Sequence, residues 1–160
     1  MTSGPLTLAE ALISELRARH WTLSTAESLT GGGLGSLITA VPGASDVYLG
    51  GLITYSIELK ANLLGLSSQE LAAGVVSEVV AEAMASRVRT LTGADVGLAT
   101  TGAAGPEPHG GAAPGTVCLA VSQPDVTLAW TVQLTGGRDQ VRAAAISEIL
   151  RVAAEQIARA

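Results

Sequence analysis

The chain has 160 residues, 48% of them apolar and only 14% charged, with a net charge of −5. That is the length of one compact domain able to bury about two thirds of its unfolded surface, and so few charges leave little to coat a large solvated exterior, so a homo-oligomer is expected. Phosphate neutralisation needs clustered Lys and Arg, which argues against nucleic acid as a partner.

The single cysteine, Cys118, excludes an intramolecular disulfide and supplies too few ligands for a Cys-based zinc or iron–sulfur site. Its apolar neighbours read as a buried strand. The N-terminus lacks a basic-then-apolar leader and no apolar run reaches membrane-spanning length, so a cytoplasmic protein without membrane contact is expected.

Along the chain, Thr7-Leu8-Ala9-Glu10 has the form of a capping box, and Leu8, Leu12, Ile13 and Leu16 follow at helical spacing, predicting a first helix to about Arg19. Trp21 to Thr25 reads as a strand running into Ala26-Glu27-Ser28-Leu29-Thr30-Gly31-Gly32-Gly33, after which Leu34, Leu37, Ile38 and Val41 form a helical stripe stopped by Pro42-Gly43. A strand, a glycine loop and a helix in that order aim backbone N–H groups and the positive helix end into the loop. A second strand is expected over Val47 to Tyr55, with Lys60 at the start of a short helix ending near Leu64-Gly65. Helices over Ser67 to Ala73 and Ser77 to Leu91 follow, then a strand over Val96 to Thr100 that opens onto Thr101-Gly102 and a Gly/Pro/Ala loop to Gly115. Thr116 to Ser122 and Val126 to Leu134 read as an antiparallel pair, and a last helix runs from about Arg138 nearly to the end. The pattern predicts a single-domain, three-layer α/β/α fold with a mixed sheet.

Lys60 is the one lysine beside eight arginines. Arginine stays charged, whereas a buried lysine amine loses its proton near neutral pH and serves as a base; in an arginine-rich composition, a leftover surface lysine is the other reading. The chain has no phosphate-binding Gly-x-x-x-x-Gly-Lys, no Gly-x-Ser-x-Gly elbow, no His-Glu-x-x-His and no Ser-x-x-Lys. Of its two histidines, His20 falls at a helix end and His109 in a glycine-rich loop, as a solvated residue or a mobile substrate contact. A Ser-His-Asp triad is poorly supplied, but lysine can replace histidine as the base for a serine. Ser28 is the best nucleophile candidate, at a strand end before a glycine loop, with a helix N-cap as its alternative role. Tyr55 is placed to relay a proton or bond the lysine, or simply to pack; Glu27 points to the face opposite Ser28 and reads as structural.

Three segments together resemble one family: Ala26-Glu27-Ser28-Leu29-Thr30-Gly31-Gly32, Thr54-Tyr55-Ser56-Ile57-Glu58-Leu59-Lys60, and Thr101-Gly102-Ala103-Ala104-Gly105-Pro106 with Pro114-Gly115-Thr116-Val117. They are similar to the C-terminal domain of the competence/damage-inducible protein CinA, a family that includes stand-alone nicotinamide mononucleotide amidohydrolases. The resemblance spans nearly the whole chain. It implies conversion of nicotinamide mononucleotide to nicotinate mononucleotide and ammonia without a metal or other cofactor, the partner being the small pyridine mononucleotide. It further implies Ser28 as nucleophile, Lys60 as its base, and Tyr55 with them. Thr30, Gly31, Gly32, Gly43, Thr101, Gly102, Arg138 and Arg142 would contact the nucleotide. Larger family members carry an additional N-terminal pyrophosphatase domain, which nothing in this sequence resembles.

The chain departs from the family pattern at Leu29 (usually Cys), Ile57 (Asn), Leu59 (Ala) and Gly137 (Asp), and alanine replaces a lysine near Ala112 or Ala113. These departures motivate two alternatives: a nucleotide-binding module with weak turnover, or an amidase for another small amide.

Overall fold

The computed structural model describes residues 3–160, which form six helices and five strands. In chain order these are α1 (Pro5–Arg19), β1 (Leu23–Glu27), α2 (Gly33–Thr39), β2 (Tyr48–Ile53), α3 (Ile57–Leu64), α4 (Ser68–Ala72), α5 (Glu78–Thr92), β3 (Val96–Gly102), β4 (Thr116–Ser122), β5 (Thr127–Gln133) and α6 (Arg138–Ala158). The sheet order is β2-β1-β3-β4-β5; β1 pairs parallel with β2 and β3, and β4 runs antiparallel to both β3 and β5. The result is the expected three-layer α/β/α domain with a mixed sheet.

Strict alternation along the central strands separates the two apolar layers. Val96 and Leu98 of β3 and Val117, Leu119 and Val121 of β4 face α1, α2 and α6, while Ala99, Cys118 and Ala120 face α5. The α5 side is lined by small residues, which lets that helix lie close to the sheet. Gly97 marks the closest approach: a Cβ there would sit 2.1 Å from the backbone oxygen of Ala85. Cys118 is buried, as expected of a strand position, and burial raises its thiol pKa.

Several element ends differ from the sequence pattern, each for a local reason. Helix α1 begins at Pro5 with Gly4 as N-cap, so Thr7 to Glu10 lies inside the first turns instead of forming a cap; proline at the first helical position presets the backbone there. At its other end His20 takes the left-handed conformation (φ 55°), and Trp21 N donates back to Leu16 O. That reversal uses up Trp21 and Thr22 and moves β1 two residues later, to Leu23–Glu27. Strand β2 stops at Ile53, since Thr54 and Tyr55 turn toward the N-cap of α3, Ser56, whose Oγ accepts from Leu59 N. Strand β3 continues to Gly102 because β4 pairs with it as far as Val117.

Candidate active site

The carboxyl ends of parallel strands β1 and β3 place their loops side by side, the usual position for a site in an open α/β sheet. Two backbone bonds hold β1 in register past its end: Ser28 N donates to Thr100 O (2.9 Å) and Thr54 N to Glu27 O (2.9 Å). With its main chain fixed on both sides, the strand sends Glu27 toward α2 and Ser28 toward α3.

Lys60, on the buried face of α3 one turn before Leu64, meets Ser28 from that side. It is only 2% exposed, and its Nζ donates to Ser28 Oγ (3.0 Å), Thr54 O (2.7 Å) and Tyr55 O (3.3 Å). Burial lowers its pKa from the ordinary 10.5 to about 8, because the apolar surroundings disfavour the ammonium and nothing of opposite charge offsets that cost. In the neutral amine, two N–H groups serve the two carbonyls, which leaves the lone pair for the Ser28 hydroxyl. The surface reading of Lys60 is therefore excluded by the fold.

Ser28 also lines a cavity of about 280 Å³ whose wall includes Leu29, Tyr55, Gly102, Glu107 and Arg138. The serine stands between this space and the lysine behind it.

The strand–loop–helix unit does not offer its helix end to a ligand, contrary to the sequence expectation. Glu27, 2% exposed, occupies it: Oε1 accepts from Thr30 Oγ1 (2.7 Å), Gly32 N (3.2 Å) and Leu34 N (2.9 Å), and Oε2 from Gly35 N (3.0 Å). A carboxylate is the natural occupant of a helix N-terminus, and here the chain supplies its own. Gly31 N is likewise spent on Ser28 O (3.1 Å). The N–H groups of Leu29 and Thr30 have no acceptor among the described residues.

The remaining residues expected at the site divide. Gly102 lies on the cavity wall, where a Cβ would stand 2.9 Å from Thr116 O and 3.1 Å from Leu29 Cδ1. The Thr30 side chain is buried between Glu27 and Thr100, pointing into the protein. Thr101 is buried too, donating to Val75 O (2.7 Å) and so tying the segment before α5 to the sheet end. Gly31 (φ 57°) and Gly32 (φ 97°) make the turn into α2, which a side chain would strain. Gly43 does not join them: it precedes β2, at the opposite end of the parallel strands, where its oxygen accepts from Arg17. Tyr55 touches Lys60 through its carbonyl only; its ring is 60% exposed on the cavity wall, and its hydroxyl accepts from Arg138 Nη2 (3.3 Å). Arg138 also donates to Gly105 O (2.9 Å), bridging the two loops that flank the cavity. Arg142 is half-buried behind the loop, its Nε on Leu29 O (3.0 Å) and its Nη2 on Thr30 O (3.3 Å).

Glu107, to which the sequence assigns no role, stands on the same wall, as does His109. The available signal for Glu107 was a lone carboxylate in the glycine- and proline-rich loop directly after Thr101-Gly102. Of the departures from the family pattern, Leu29 packs into the main core, Ile57 and Leu59 point to solvent from α3, and Gly137 is the N-cap of α6. None of these side chains separates Ser28 from Lys60.

Comparison with known proteins shows the family. The sequence matches the model of the CinA C-terminal domain over residues 6–157. A CinA-like protein of Frankia casuarinae is 41% identical over 152 residues, which is 94% of this chain and 35% of the relative, and a putative competence-damage inducible protein of Geobacillus kaustophilus is 42% identical over 139 residues, 85% of this chain and 33% of the relative. The chain thus spans about a third of the length of the curated relatives it matches. Among solved structures, the competence damage-inducible protein A of Klebsiella pneumoniae superposes with a TM-score of 0.94 at 34% identity, covering 98% of both chains. On its sequence, its sheet topology and the order of its site segments, the chain belongs to the CinA C-terminal domain family.

Proposed function

We propose that this domain is an amidohydrolase that converts nicotinamide mononucleotide to nicotinate mononucleotide and ammonia through an acyl-enzyme on Ser28. The observation that carries the reading is the 3.0 Å contact between the Lys60 amine and a serine hydroxyl facing a cavity, with the amine buried and its pKa drawn down to about 8.

In the reaction, neutral Lys60 takes the Ser28 proton as Oγ attacks the carboxamide carbon. The carbonyl oxygen of the tetrahedral intermediate then accepts from the idle N–H groups of Leu29 and Thr30, each such donor being worth about 3 kcal/mol. Collapse breaks the C–N bond, and the lysine hands its proton to the departing nitrogen, which leaves as ammonia. Water attacks the ester with Lys60 again as base, and cleavage of the C–Oγ bond frees the carboxylate and restores the serine. Gly102 keeps the cavity wall close-packed, since a Cβ there would meet Thr116 O and Leu29 Cδ1, and Arg138, exposed at the rim, is the arginine we assign to the phosphate.

The departures at positions 29, 57, 59 and 137 motivate a binding module without turnover; Ile57 and Leu59 face solvent, Gly137 caps α6, and Leu29 at the cavity wall leaves the Ser28–Lys60 contact in place, so the complete dyad favours the enzyme. Release of ammonia from nicotinamide mononucleotide by the purified protein, and its loss in Ser28→Ala, tests the reading. Tight nucleotide binding with no ammonia would overturn it in favour of the binding module; turnover of other small amides alone would reassign the substrate.

A further inference from the structure

We propose that Arg142 is a positioning residue that aims and strengthens the oxyanion donor at Thr30, and that it is not a phosphate ligand. The inference rests on the acyl-transfer reading and deepens it. The guanidinium spans two consecutive peptide oxygens just after the nucleophile, with Nε on Leu29 O at 3.0 Å and Nη2 on Thr30 O at 3.3 Å.

The Leu29 carbonyl and the Thr30 N–H belong to one rigid trans peptide plane and point in opposite directions. Fixing that oxygen toward α6 therefore fixes the Thr30 N–H away from α6. A cation on the carbonyl also polarises the amide, making its N–H a stronger donor. The Leu29 N–H is held the same way, through Ser28 O, which accepts from Gly31 N.

Neighbouring donors are all committed. Ser28 N is bonded to Thr100 O, Gly32 N to Glu27 and Gly33 N to Thr30 O, which leaves the N–H groups of Leu29 and Thr30 without an acceptor among the described residues. They are the two amides that follow the nucleophile, in a loop that otherwise wastes no donor. Arg142 lies outside the cavity wall and has donors on both carbonyls, whereas Arg138 is on that wall. A phosphate ligand needs the reverse placement.

The two roles separate experimentally. The variants Arg142→Gln and Arg142→Lys are compared with wild type on nicotinamide mononucleotide, on its dephosphorylated riboside, and on a fluorophosphonate probe that labels an activated serine and carries no nucleotide. Arg142→Gln is expected to slow turnover of both substrates and labelling of Ser28 by about 30- to 100-fold, somewhat less than outright loss of an oxyanion donor, with KM within about threefold. Arg142→Lys keeps the charge but cannot fork across two carbonyls; it is expected to lose about tenfold in kcat, and it carries the test if Arg142→Gln does not fold. Unchanged labelling in the variants, or a loss confined to KM for the phosphorylated substrate, overturns the positioning role and leaves the acyl-transfer reading intact. Wild-type protein whose Ser28 resists the probe and which releases no ammonia defeats the acyl-transfer reading, and this inference falls with it.

Discussion

Glu27 and Ser28 are neighbours at the end of one strand, yet the ionisable groups on the two sides of that strand are treated in opposite ways. On the α2 side, the Glu27 carboxylate is buried but receives four hydrogen bonds, three from backbone N–H groups at a helix start and one from Thr30. On the α3 side, the Lys60 amine is equally buried but has two carbonyls, one hydroxyl and no counter-charge. A satisfied buried charge is a structural fixture, whereas a poorly supported one is held close to losing its proton. Stability is expected to depend on the first group and turnover on the second.

The largest effect separates the two sides outright. Ser28→Ala and Lys60→Met should each lower ammonia release by about 10⁴-fold or more, and the double variant should be no worse than either, as for residues that act as one unit. Steady-state assays on the three proteins check this; multiplicative losses would mean that the two groups act independently.

Stability should respond in the reverse order. Glu27→Gln places an amide NH₂ against backbone donors that now meet a carboxylate oxygen, and is expected to cost about 2–4 kcal/mol in urea unfolding. Lys60→Met orphans the oxygens of Thr54 and Tyr55 but removes a desolvated ammonium, and is expected to stay within about 1 kcal/mol of wild type at pH 7. A Glu27→Gln protein as stable as the parent would erase the contrast.

How much of this was readable in the sequence follows the same division. Lys60 stood out because no other lysine exists, and Ser28 because a strand ran into glycines; both are facts of composition and order. Alternation along a strand put Glu27 on the other face from Ser28, but not where its carboxylate goes, since that depends on how closely α2 folds back over β1. The same blind spot led to α2's amides being assigned to a ligand. Gly43 was carried to the site by resemblance, whereas its φ of 77° serves the turn before β2 at the far end of the sheet. The shift of β1 came from a left-handed His20, a conformation uncommon enough in any residue with a side chain that composition and order do not announce it.

Changing pH sharpens the comparison through Lys60 alone. Turnover should rise about tenfold per pH unit below 8 and level off above it, as the amine loses its proton. Stability should also rise between pH 8 and 10.5, because in that window the unfolded chain keeps a proton on Lys60 that the folded protein has shed. Below pH 8 both states are protonated and the cost of the buried ammonium is constant, about 3 kcal/mol by the size of the shift. Unfolding curves of wild type minus Lys60→Met isolate this slope from those of Cys118 and Tyr48, whose pKa values burial raises, and a flat difference would contradict a displaced lysine.

The smallest effect concerns Tyr55, which in sequence stands between the two dyad residues and invites a role as proton carrier. Its contact with Lys60 is through a main-chain oxygen, which any residue supplies, while its hydroxyl meets only Arg138, at 3.3 Å, on an exposed ring. Removing the hydroxyl in Tyr55→Phe leaves the lysine's acceptors in place and loosens only the Arg138 bridge across the cavity rim. The loss of one exposed hydrogen bond corresponds to about a two- to fivefold rise in KM with kcat within about twofold. A hundredfold fall in kcat at constant KM would instead make the phenol part of the proton path, and the lysine side of β1 would then hold three reacting groups where the distances now support two.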